Sequence, residues 1–88
     1  MKIDVYDSYA QSNGRLMHFD VFVKNGVSAE QALEYGRKWL ETIGEDANAL
    51  QNSRCNFCHS ELANPEVARL IEAAGHYILQ MEGCPAPY

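Results

Sequence analysis

No segment of this 88-residue chain is apolar for long enough to cross a bilayer, which excludes a helical membrane anchor. Basic residues are few and dispersed. Seven Lys and Arg stand against twelve Asp and Glu, a formal charge of −5, and only Arg37 and Lys38 are neighbours. Phosphate binding needs a basic stripe, so a nucleic-acid partner is not expected. Internal repeats and low-complexity segments are also lacking, and the length suits one domain, expected over residues 1–84. Proline is scarce, and two of the three fall in Pro85-Ala86-Pro87-Tyr88. That stretch can continue neither sheet nor helix and is expected to be a flexible tail. The N-terminus shows no apolar h-region or small-residue cleavage site, so the expected location is cytoplasmic. Thiols stay reduced there, and three cysteines are better read as ligands or reactive groups than as disulfides.

What is present begins with two runs of period two. Ile3, Val5, Asp7 and Tyr9 form one row, and Met17, Phe19, Val21 and Val23 form another, around Ser12-Asn13-Gly14. This reads as a β-hairpin. A two-residue Asn13-Gly14 turn would pair Asp7 with Asp20 and put the apolar rows on opposite faces. A three-residue loop pairs Val5 with Val21 and Tyr9 with Met17, gathers the rows on one face, and is the register expected. The outer face then carries Asp4, Tyr6, Ser8, His18, Asp20 and Phe22, while Asp7 turns inward opposite Phe19. Phe22 and Leu16 make that outer face a candidate homodimer surface.

Ser28 caps a first helix, with Gln31 three residues on, and Ala32, Leu33, Gly36, Trp39, Leu40 and Ile43 supply its apolar stripe up to Gly44. Asn64-Pro65 opens a second helix closed by Gly75, with Val67, Leu70, Ile71 and Ala74 facing inward. Tyr77, Ile78, Leu79 and Met81 make a final strand. Residues 45–63 are polar and read as an irregular connection with one short strand near residues 49–53. The pattern predicts a two-layer α+β domain of order β-β-α-(β)-α-β. Its sheet is antiparallel or mixed, with three or four strands, and both helices lie on one face.

Chemistry concentrates at Cys55-Asn56-Phe57-Cys58-His59. A Cys-x-x-Cys turn supplies half of a tetrahedral thiolate site, and zinc is the expected cofactor. Cys84 is the next ligand, and His18 or His59 the fourth, with Asp20 two residues from His18 to orient its ring. No general base stands beside this set, so catalysis is not expected. The alternatives are a thiol–disulfide pair formed by Cys55 and Cys58, or an interaction domain without site chemistry. The redox reading is weakened because the helix begins several residues after Cys58. Covalent haem on Cys55, Cys58 and His59, with Met81 or His76 as axial ligand, is disfavoured by the strand-rich pattern.

With the hairpin, Met17-His18-Phe19-Asp20-Val21, the Cys55-to-His59 segment and Met81-Glu82-Gly83-Cys84 in this order, the chain resembles the small bacterial DUF2024 family. The resemblance runs from the first strand to Cys84. It implies a single α+β domain with two helices on a sheet, and it implies no activity. The elements it carries over are His18 with Asp20, Cys55, Cys58, His59 and Cys84.

Overall fold

The alternating runs beside Gly14 form the two central strands of a four-stranded sheet. The computed structural model describes residues 1–12 and 14–84. The elements are β1 (Lys2–Ser12), β2 (Arg15–Lys24), α1 (Ala29–Thr42), β3 (Cys55–Leu62), α2 (Pro65–Ala74) and β4 (His76–Gln80). Two 3-10 turns, Ala47–Ala49 and Asn52–Arg54, lie between α1 and β3. Strand order is β3-β1-β2-β4, with every neighbouring pair antiparallel. The fold is α+β. No helix among the described residues is long and apolar enough to cross a membrane. Asn13 and the expected tail at 85–88 lie outside the described residues.

Both helices start where their capping residues direct. The Ser28 side chain accepts from Gln31 N at 3.1 Å, and Asn64 Oδ1 accepts from Val67 N at 2.8 Å, with Pro65 following as the first helical residue. Each cap satisfies an N–H that the helix cannot, worth about 1 kcal/mol.

The hairpin register differs from the expected one. Ser12 pairs with Arg15, so two residues connect the strands, and the ladder sets Val5 against Phe22, Asp7 against Asp20 and Tyr9 against His18. The apolar rows therefore do lie on opposite faces. Tyr6, Ala10, Met17, Phe19, Val21 and Val23 face α1 and meet Ala32 and Leu40, with Trp39 packed alongside. Ile3, Val5 and Phe22 face the other way and meet Ile71 and Val67 of α2. The helices accordingly cover opposite faces, which corrects the expectation of one helical layer. Phe22 lies beneath α2, whereas Leu16, the other residue of the expected homodimer surface, is exposed. Each fully buried aliphatic or aromatic side chain contributes roughly 1.5–3 kcal/mol, so neither face can go uncovered.

The segment expected to be irregular holds β3, an edge strand whose residues after Cys55 are all exposed. The Cys-x-x-Cys sequence is thus the start of a strand and not a turn. Its ladder to β1 slips once between Val5 and Tyr6, where Phe57 pairs with Tyr6 and His59 with Val5. Cys58 is the extra residue of this bulge.

Candidate functional site

The two-residue hairpin connection places four polar side chains on the sheet face that α2 covers at its other end. Asp7 and Tyr9 come from β1, and His18 and Asp20 lie opposite them on β2. His18 Nε2 is 2.6 Å from Asp7 Oδ1 and 3.9 Å from Asp20 Oδ1. Tyr9 stacks on the imidazole at 4.3 Å between ring centroids and 9° between planes, fixing its tilt. One ligand atom from each of Asp7, His18 and Asp20 falls within 4.8 Å of the others.

Two carboxylates directly opposite in a ladder repel each other. Neither makes an ion pair with Lys or Arg among the described residues; the ion pairs they have are with His18. The Asp20 side chain is 14 % exposed. Burial, followed by the charge of Asp7, pushes its carboxyl up to about 6, against the opposing influence of His18 and His59. The arrangement is a pocket of negative charge held around one imidazole, suited to accept a proton or a cation.

The main chain of His18 is pinned from the far side. His18 N donates to Glu82 O at 2.8 Å, and His18 O accepts from Met81 N at 2.9 Å and from Cys84 Sγ at 3.3 Å. Gly83 makes this approach possible. It has φ +81°, and a Cβ there would fall 2.0 Å from Leu16 O.

The residues expected to share a metal are dispersed. Cys55 is buried on the α1 side, where Ser8 Oγ donates to its sulfur at 3.4 Å, and burial raises its thiol above the ordinary value. Cys84 belongs to that same core, its thiol also raised by burial, but it contacts β2, roughly 10 Å from β3 across β1. Cys58 is exposed on the bulge, with its sulfur 3.3 Å from His59 Nδ1, and His59 Nε2 reaches Glu61 Oε1 at 3.2 Å. All three thiols are free. Among the described residues, no group of three ligands containing a cysteine comes as close as Asp7, His18 and Asp20.

Of the expected ligands, the structure brings His18 to the site and puts His59 on the same sheet face. The bulge does the latter, because without Cys58 as the extra residue His59 would pair with Asp4 and face α1. Asp7 and Tyr9 were not foreseen there. The signal for them was Asn13-Gly14, the dipeptide most typical of a two-residue hairpin turn.

The family model described as "Domain of unknown function (DUF2024)" matches residues 1–81. The NMR structure of protein NE1680 from Nitrosomonas europaea, a structural-genomics target, is 42% identical. The match covers 97% of this chain and 100% of that one, with a TM-score of 0.84. No curated protein matches.

Proposed function

Because the chain belongs to the DUF2024 family, whose description names no activity, we propose from its own side chains that it is a divalent-metal-binding domain. Asp7, His18 and Asp20 are the ligands, and zinc is the first candidate ion. The observation that carries this reading is the meeting of two carboxylates and one imidazole within 4.8 Å on a half-buried face. Nitrogen and carboxylate donors of this kind suit zinc.

The ion would replace the 2.6 Å contact between His18 Nε2 and Asp7 and compete with the proton on Asp20, whose carboxyl is pushed up to about 6. Affinity therefore rises with pH through that region, as expected when metal and proton compete. The Tyr9 ring and the main-chain contacts from Met81, Glu82 and Cys84 hold His18 in place before the ion arrives. His59, on the same sheet face, is a further donor once it turns away from Glu61.

The test is calorimetric titration of chelator-treated protein with zinc chloride at pH 7.5. One ion per chain is expected, with affinity reduced at least about tenfold by His18→Ala and by Asp20→Asn. Cys55→Ser should leave affinity unchanged. Binding that survives both site substitutions and disappears in Cys58→Ser would overturn the assignment in favour of a thiolate site.

A further inference from the structure

An open cleft of about 540 Å³, lined largely by exposed side chains, begins at Tyr9 and lies between the end of β1 and the segment carrying the two 3-10 turns. It has the size of a small-molecule site. The β1–β3 ladder stops at Ser8 and Cys55, so β1 beyond Ser8 has no strand on that side. Tyr9 and Gln11 line one wall, and Asp46, Asn48, Gln51 and Arg54 line the other.

The charges on this second wall are not spent on each other. Arg54 makes no side-chain hydrogen bond or ion pair among the described residues, and no ion pair joins it to Asp46 within 4 Å. One oxygen of Asp46 caps Asn48 N at 2.9 Å, and its carboxylate has no cationic partner among the described residues. A guanidinium remains charged at any physiological pH and offers a planar fork of donors matched to a carboxylate. A lone anion would meet Arg54 but be repelled by Asp46. A lone cation would meet the reverse. A molecule bearing both charges satisfies both.

We propose that this cleft binds a small zwitterion of the amino-acid class. Its carboxylate pairs with Arg54 and its ammonium group with Asp46. Gln11, Asn48 and Gln51 supply neutral donors and acceptors, and the Tyr9 ring gives an apolar surface. The inference does not rest on the metal reading, since the two sites share only the Tyr9 side chain.

The experiment follows the side-chain amide signals of Gln11, Asn48 and Gln51 by NMR in metal-free, 15N-labelled protein. The probes are glycine, alanine, glutamate, lysine and γ-aminobutyrate, beside propionate and propylamine as half-ligands. At least one zwitterion is expected to shift these signals saturably, binding at least about tenfold more tightly than either half-ligand. Arg54→Gln should abolish its advantage over propylamine, and Asp46→Asn its advantage over propionate. Asn also caps helical turns, so the second substitution spares the fold. Asp20→Asn should leave zwitterion binding unchanged, which separates this result from the zinc titration. No saturable shift with any zwitterion, equal binding of propionate, or binding indifferent to both substitutions would overturn the proposal.

Discussion

A carboxyl group that titrates near 6 in the folded chain and near 3.9 in the unfolded one weakens folding at neutral pH. Between those two values the folded state keeps a proton that the unfolded state has released, so stability falls as pH rises and levels off above about 6. For Asp20 the loss is on the order of 2–3 kcal/mol. Asp20→Asn in metal-free protein should therefore raise stability at pH 7.5 by roughly 2 kcal/mol and change it little at pH 4. Urea unfolding at the two pH values measures this, and an equal effect at both would refute it. Zinc at 100 times its Kd should narrow that difference at pH 7.5 by about 1.3 kcal/mol, because it adds about 2.7 kcal/mol to the wild type and, at tenfold lower affinity, about 1.4 kcal/mol to Asp20→Asn. Asp4 has the opposite sign. The Gly26 N–H, then Ser60, hold its carboxyl below the ordinary value, so its contribution is lost as pH falls through that lowered value. The cysteines also divide by environment. Cys58 is exposed, while burial raises the thiols of Cys55 and Cys84. Iodoacetamide should label one site quickly, and mass spectrometry should show that fast adduct lost in Cys58→Ser. Three fast adducts would revive a redox role for the Cys-x-x-Cys pair.

Among the elements, the turn at Gly83 ties the end of the chain to the site. Its positive φ and its closeness to Leu16 O leave no room for a side chain. Gly83→Ala should destabilise the fold by about 2 kcal/mol or more and loosen His18, since Met81, Glu82 and Cys84 would leave its main chain. A wild-type melting temperature with unchanged zinc affinity would show that the turn does not support the site. The helices were legible in the sequence because their ends carry chemistry that acts locally, Ser28 and Gln31 at one and Asn64-Pro65 with Gly75 at the other. β3 was not legible. An edge strand exposed along seven of its eight positions has no apolar row to announce it, and Cys55 alone reaches the core. The hairpin register was misread for one reason, the assumption of a single core. A register that splits the apolar rows and sets Asp7 against Asp20 looks unfavourable for a two-layer fold. It is the register a helix on each face requires, and the same repulsion makes the candidate site.

At the scale of the whole molecule, the sheet divides two cores of unequal size. The α1 side buries Met17, Phe19, Val21, Leu40 and Leu50 completely, whereas α2 commits Ile71 alone to full burial, against Ile3, Val5 and Phe22. A region with fewer buried apolar side chains opens at lower free energy. Amides of α2 are therefore expected to exchange with solvent through a partial opening, well before those of β1 and β2, whose ladder lies between the cores. All three proposed ligands sit on β1 and β2, and none is on α2. Zinc should then slow exchange at Asp7, His18 and Asp20 and leave α2 as labile as before. Hydrogen exchange followed by NMR, with and without zinc, measures both parts. If α2 and the hairpin exchanged at one common free energy, the two cores would form a single cooperative unit. If zinc slowed α2 as much as the hairpin, the ion would be acting on the whole fold and not on a preformed site at its centre.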